Sequence, residues 1–416
     1  MARPRVLFVS GSFGLGHVTR DLAVVRELRR KAPHVEVGWL SASPATEVLA
    51  QAGETLVPEC QEYRNETDAA DAVGTRGRLN LTTYVYRALG KWVHNAHVIR
   101  RAGRQGAFDL IVGDETYEVV VAHVLGFRVM PDVPYIMIYD FWGLDVRTGS
   151  LFERLGAWGV NLIWTQQQRV TARGDNAALF IGEPDDIEDS RFDVFLPNRR
   201  RCAENRVNFL GYMLTYNPAS LPPKDRLRAE LGYGPGPLVI CTVGGTAVGR
   251  ELLELCGRAY PLALARLPGL RLVLVCGPRI DPDRLEVPEA VEKRGMVPDL
   301  YRHFAAADLV VTQGGGTTTL ELTALRVPFL FFPVKGQAEQ ELTIANRLAR
   351  QRAGVRMSLA ETTPTSLAAT IADYIGSRVS YPPIPWDGAG RAADIILERL
   401  ARRRPSISFS WPRLIR

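Results

Sequence analysis

Short runs of Val, Ile, Leu and Phe recur along the chain, each the length of a buried strand and each followed by a turn and a longer stretch with helical spacing. In the first half these runs predict strands at 5–10, 34–41, 109–113 and 134–139. In the second half they fall at 237–243, 270–276, 308–312 and 328–332. Strands that are apolar throughout and alternate with helices are the mark of parallel sheets covered on both faces. The first predicted helix, 22–30, places Leu22, Val25 and Leu28 at core spacing and leaves Arg26, Glu27, Arg29 and Arg30 on the wet side. Proline and glycine crowd into 217–237, which marks a linker. The pattern therefore predicts two doubly wound α/β domains, 1–217 and 218–388, with 389–416 as a C-terminal helix and basic tail that crosses back to the first domain.

Bulk properties change this picture little. A chain of 416 residues exceeds what one core serves, and 46% hydrophobic with 23% charged residues describes an ordinary globular protein. No apolar run approaches a bilayer span, and the opening "MARPRVLFVSGSFG" reads as a first strand, so a cytoplasmic protein is expected. The five cysteines are scattered without CxxC spacing, which predicts buried free thiols rather than disulfides or zinc. A net charge of +6 is mild and makes nucleic acid a poor partner. Its concentration beside Phe409 and Trp411 in the tail allows two readings, a solvated helix end or a peripheral contact with anionic lipid at the inner face of the membrane.

In doubly wound sheets, ligands bind beyond the carboxyl ends of the strands, and the unusual residues of this chain fall there. "GSFGLGH" follows the first strand: Gly14 and Gly16 permit close approach of a ligand to backbone N–H groups, and His17 stands at the mouth of a helix. The spacing is GxxGxG, and the second strand ends "GWLSAS" without the acidic residue that a nicotinamide ribose wants, which argues against a dinucleotide oxidoreductase. No GxxxxGK[ST] occurs either. A later strand ends at Asp114, where a carboxylate could fix the tautomer of His17 and leave the other ring nitrogen to take a proton, or could cap a helix at 116–125.

Two loops of the second half match one another. Gly244, Gly245 and Thr246 follow one strand; Gln313, Gly314, Gly315 and Gly316 follow another, ahead of Thr317 and Thr318. Consecutive glycines before a helix suit a diphosphate held by N–H groups and the positive helix end. Glu321, one turn into that helix, is placed to accept from ribose hydroxyls, and Glu339 with Gln340 offers hydrogen bonds to sugar hydroxyls.

These residues resemble a family. The stretch 294–348 is similar to the donor-site region of GT-B glycosyltransferases, particularly the plant-type and bacterial UDP-glycosyltransferases and the peptidoglycan-precursor N-acetylglucosaminyltransferase of family 28. The resemblance implies two Rossmann-like domains facing a central cleft. It implies a nucleobase contact at Met296 and Val297, a diphosphate loop from Gln313 to Thr318, a ribose contact at Glu321 and a sugar contact at Glu339 and Gln340. "GLGHVTRDLAVVREL" resembles the family's catalytic-histidine turn, and Asp114 is placed like the aspartate that orients it. Many members carry histidine or serine where Gln313 stands and an aromatic or apolar residue where Gly316 stands. Retaining relatives keep a glutamate at the position of Gln313.

The expectation that follows is an inverting, metal-independent transfer of a sugar from a nucleoside diphosphate donor to an acceptor hydroxyl, on a small metabolite or a lipid-linked molecule, with no cofactor beyond the nucleotide-sugar co-substrate. The carboxylates of "DPD" at 281–283 and the pair His94 and His97 are read as structural. The basic and aromatic helix at 76–104 suits either an anionic acceptor or plain solvent. A sugar-nucleotide epimerase or hydrolase, and a non-catalytic binding protein, are the alternatives.

Overall fold

The computed structural model describes residues 3–11, 16–65, 74–75, 78–79, 81–143, 151–166, 174–244, 247–335, 337 and 339–402. Residues 74–75, 78–79, 81–89, 152–153 and 247 are described by their backbone alone. Gly14, Gly245, Thr246 and the tail beyond Arg402 lie outside the described residues, as do the side chains of the basic helix before Gly90.

The first sheet has β1 (Arg5–Ser10), β2 (Glu36–Leu40), β3 (Leu110–Asp114), β4 (Tyr135–Tyr139), β5 (Ala177–Phe180) and β6 (Asn208–Phe209) in the order β2-β1-β3-β4-β5-β6, all parallel. The second has β7 (Leu238–Thr242), β8 (Arg271–Val275), β9 (Glu292–Arg294), β10 (Leu309–Thr312), β11 (Phe329–Phe331) and β12 (Val355–Arg356) in the order β9-β8-β7-β10-β11-β12, again all parallel. Each order reverses beside its first strand, at β1 and at β7. Strand side chains divide by the pleat: Val6, Phe8, Val112 and Ile138 enter one core while Leu7, Val9, Ile111 and Met137 enter the other. Burial on both faces is why these strands read as continuous apolar runs.

Helix α1 (Gly16–Lys31) starts six residues before the predicted 22–30, because His17, Arg20 and Asp21 are buried polar residues that break the apolar period. Helix α2 (Leu81–Gln105) and helix α3 (Tyr117–Val124) cover the opposite face. Thr116, not Asp114, occupies the N-cap of α3, so the capping alternative for Asp114 is set aside.

The predicted linker is also shorter than 217–237. Lys224–Glu230 is helical and buries Leu227 in the second lobe, since a proline-flanked segment can still carry one amphipathic turn. The chain leaves the first lobe through Tyr212–Leu214 and returns through Ile384–Gly388, and the two crossings bond to each other by Tyr212 N–H to Pro385 O at 2.7 Å and Gly388 N–H to Tyr212 O at 2.8 Å. Helix α4 (Gly388–Arg402) then inserts Ala392, Ala393, Ile396 and Leu400 into the core of the first lobe beside α1. Four cysteines are buried and Cys60 is half-buried, all of them free. No helix among the described residues is long and apolar enough to cross a membrane.

Candidate functional site

The parallel register pairs Ser10 with Asp114 and Asp114 with Ile138, so the ends of β1, β3 and β4 share one rim. Three acidic groups gather there: Asp114, Glu115 in a left-handed conformation (φ 52°), and Asp140 just after β4. Asp114 Oδ2 lies 3.2 Å from His17 Nδ1, but Asp114 has a second and tighter partner. Arg20, one turn along α1, donates from Nε to Asp114 Oδ2 at 2.7 Å and from Nη2 to Asp114 Oδ1 at 2.6 Å, and its Nη1 reaches Asp140. The His17 side chain is 9% exposed, and its Nε2 edge faces Glu115 Oε2 at 3.5 Å, so the second nitrogen that sequence reasoning left bare meets a carboxyl of its own lobe.

Charge is partitioned unevenly over this cluster. Burial works against ionisation of Asp114 and Asp140, yet the Arg20 guanidinium holds both below the usual carboxylate range. Glu115 is buried against Asp140 and is pushed well up, as is Asp21, buried beside Asp114. His17, Glu115 and Asp140 bring ligand-type atoms within 4.8 Å of one another, a spacing that could hold a metal ion, but the Arg20 cation already sits on Asp140. Behind them Tyr117, Phe141 and Trp164 pack with ring centroids 5.1 to 5.4 Å apart, an aromatic wall reaching from Glu115 into the lobe.

Across the gap, helix α5 (Gly316–Leu325) follows β10, and Gly314 turns the chain at φ 89°. A Cβ added at Gly315 would meet nothing within 4 Å, so the backbone there is open. A Cβ at Gly16 would stand 3.1 Å from Thr317 Oγ1, which places the histidine turn and the glycine turn face to face. Thr318 is half-buried on the same first turn, while Thr319 returns its hydroxyl to Gly315 O. The Gln313 amide, oriented to satisfy its surroundings, donates to Val243 O at 3.0 Å and accepts from Gly249 N–H at 3.2 Å. It ties the two glycine loops together, so at the first residue of the expected diphosphate loop the side chain is engaged by the neighbouring loop. Gly244, at φ 77°, passes so close to Gly277 that no side chain fits at the latter.

Glu321 is 8% exposed with no hydrogen-bond partner among the described residues, and burial pushes its carboxyl up to about 8. Nearby, Tyr216 and Tyr301 stack at 3.8 Å, with the Tyr216 hydroxyl buried and unpartnered. Met296 is exposed and Val297 half-buried, at the outer lip of the same lobe. Glu339 opens a wide π-type turn, Glu339–Ile344, and burial pushes its carboxyl up to about 8 as well. The Gln340 side chain accepts from Val334 N–H at 2.9 Å, leaving its NH2 for a ligand.

Sequence reasoning missed Arg20, Glu115, Asp140 and the Tyr216–Tyr301 stack. Two of them had a readable signal: Arg20 stands three residues after His17, on the same helix face, and Asp140 ends a strand next to the one that ends at Asp114.

Residues 239–380 match the model of the glycosyltransferase family 28 C-terminal domain. An uncharacterized glycosyltransferase of Methanosarcina acetivorans is 35% identical over 86% of this chain and 86% of its own. The UDP-N-acetylglucosamine–N-acetylmuramyl-(pentapeptide) pyrophosphoryl-undecaprenol N-acetylglucosamine transferase of Xanthomonas euvesicatoria is 27% identical over 96% of this chain and 81% of its own. Among solved structures, the glycotransferase of kitacinnamycin superposes with a TM-score of 0.60 at 19% identity, covering 96% of this chain and all of the other, which speaks to the fold. With both sheets built as that fold requires and a relative 35% identical over 86% of each chain, the chain belongs to the glycosyltransferases, as a GT-B enzyme whose second lobe matches the family 28 C-terminal domain over 239–380.

Proposed function

We propose that the enzyme moves a sugar from a nucleoside diphosphate donor, a UDP-sugar before others, to an acceptor hydroxyl with inversion at the anomeric carbon and without a metal ion. The observation that carries this reading is the meeting of the Gly16–His17 turn with Thr317 across the interlobe gap. A diphosphate seated on the open backbone at Gly315 and the N-terminus of α5 would present its sugar to the histidine side. His17 takes the proton of the acceptor hydroxyl, that oxygen bonds to the anomeric carbon from the face opposite the diphosphate, and the bond from that carbon to the β-phosphate oxygen breaks. The nucleoside diphosphate leaves with its charge held by backbone N–H groups and the helix end.

Glu321 accepts from the ribose hydroxyls, and Glu339 with the Gln340 NH2 reads the sugar. Arg20 already supplies positive charge beside Asp140, which supports a site that does not need a cation. The uridine preference rests on the transferase of Xanthomonas euvesicatoria, whose name carries UDP-N-acetylglucosamine. The aromatic wall of Tyr117, Phe141 and Trp164 favours an acceptor with an apolar body, lipid-linked or not. The test is a thermal-shift screen against UDP, GDP, dTDP and their sugars, then proton NMR of the glycoside made from the donor that binds, with and without EDTA. An inverted anomer, unaffected by EDTA, is expected. A retained anomer, or release of an isomerised free sugar with no acceptor present, would overturn the reading, the second outcome in favour of an epimerase or hydrolase.

A further inference from the structure

Arg20 is nine-tenths buried and shares its Nη2 between two partners: Asp114 Oδ1 at 2.6 Å and His17 Nδ1 at 2.8 Å. A guanidinium has only donors and keeps its charge in proteins. Nδ1 therefore meets Nη2 with a lone pair, and the proton of a neutral ring lies on Nε2, toward Glu115 Oε2. The opposite tautomer, with Nδ1–H donated to Asp114 Oδ2, would set two N–H donors against each other at 2.8 Å. The arrangement expected of a base, with Nε2 empty, is thus the one Arg20 opposes in the resting site.

We propose that Arg20 is a positioning residue for the transfer reaction: its guanidinium decides which ring nitrogen of His17 holds the proton, and so when the imidazole can act as a base. This rests on the reading of His17 as the base. Release of Nδ1 requires Nη2 to be drawn off the ring, and the pull is available from Asp140, which already holds Nη1. The ring then loses one proton at Nε2 to solvent and gains one at Nδ1 from solvent, its charge unchanged, and Nδ1–H donates a hydrogen bond to Asp114 Oδ2. The groups that face the imidazole are Arg20 on α1, Asp114 and Glu115 at the end of β3, and Asp140 after β4; Asp21 stands against Asp114 and Arg20, and Glu339 of the second lobe acts on Asp140 and Arg20.

Two measurements test this on the full chain. In 15N NMR of histidine-labelled protein, with His17 assigned by its absence from the H17Q spectrum, the wild type is expected to show protonated Nε2 and bare Nδ1, and R20M the reverse. In the pH profile of UDP release from UDP-N-acetylglucosamine with water as acceptor, R20M should move the acid limb of kcat/KM up by about one pH unit, because two carboxylates are left without their cation. R20K, which keeps the charge, should restore the limb and lose only amplitude. A wild-type ring with Nδ1–H, or an R20M limb that stays in place while activity falls, would overturn the proposal. Should R20M fail to fold, the wild-type spectrum and the R20K profile still decide it. H17Q retaining full turnover would instead refute the base itself and leave the tautomer assignment standing.

Discussion

Replacing Glu321 by Gln should make the apo protein more stable and the ligand site worse, with a pH dependence that identifies the cause. The carboxyl is buried without a partner, and desolvation alone raises it from 4.5 to about 8. An acid raised in the folded state binds more protons folded than unfolded between those two values. Stability is therefore highest below 4.5, falls as the pH rises through the window, and levels off above 8. At pH 7 the unfolded chain has ionised this group and the folded chain has not, a gap of about 2.5 units that costs about 3 kcal/mol. Glutamine has the same shape and no titration, so E321Q recovers up to that amount at pH 7 and almost nothing at pH 4.5. For a lobe of this size the recovery corresponds to a rise of roughly 6–12 °C in Tm.

Ligand binding moves the other way. Ribose hydroxyls donate best to an ionised acceptor, so UDP binding to the wild type below pH 8 should release a proton, seen as a binding enthalpy that varies with the ionisation enthalpy of the buffer. E321Q should lose that dependence and at least about 1.5 kcal/mol of affinity, more than tenfold in Kd. Differential scanning fluorimetry from pH 4.5 to 9 and calorimetry in two buffers make the comparison. Parallel Tm profiles for wild type and E321Q, or equal UDP affinities, would refute the reasoning.

Three further predictions probe the joints around the gap. Arg350 donates to Asp186 at 2.7 Å, Glu183 at 2.9 Å and the Tyr212 hydroxyl at 2.8 Å, tying the second lobe to the first; R350A should cost about 2 kcal/mol in denaturant unfolding, and adding D186N should recover most of it. Q313A removes both bonds between the glycine loops and should weaken UDP binding about tenfold in calorimetry with a small change in Tm. G316A puts a Cβ 2.9 Å from Glu339 Oε1, the tip of a flexible side chain, so the protein should fold while kcat falls and Tm holds.

Much of the fold was legible because its signals are local. The eight predicted strands all exist, the first with its predicted bounds, 109–113 displaced by one residue to Leu110–Asp114, and the other six shorter by one or two residues at one or both ends, since a strand buried on both faces leaves an unbroken apolar run that only its turns interrupt. The start of α1 was not legible, and the reason is chemical. His17, Arg20 and Asp21 are polar residues buried on the first turns of the helix, so Val18 is the lone apolar mark of the period before Leu22. The same blindness hid the partner of Asp114: spacing can bring a carboxylate and an imidazole to one rim, but it does not say that a guanidinium stands between them. Gln313 is the converse case, a polar residue in a ligand loop whose amide bonds the neighbouring loop.

The protonation pattern of the gap gives these pieces a common logic. Four carboxyls around it, Asp21 and Glu115 on one side and Glu321 and Glu339 on the other, are raised chiefly by burial. Were all four ionised, a donor diphosphate would enter a cavity of like charge and pay for it in affinity. Held neutral, they leave Arg20, with its two carboxylates, and the helix end as the fixed charges a diphosphate meets. In the proposed donor site, Glu321 and Glu339 would ionise near neutral pH as sugar hydroxyls arrive to solvate them, which would convert desolvation stored in the empty site into selectivity for a polyhydroxylated ligand over a bare diphosphate. On this account the lone-standing burial of Glu321, a defect by the standards of a folded core, is what lets one gap accept both an anion and the hydroxyls it carries.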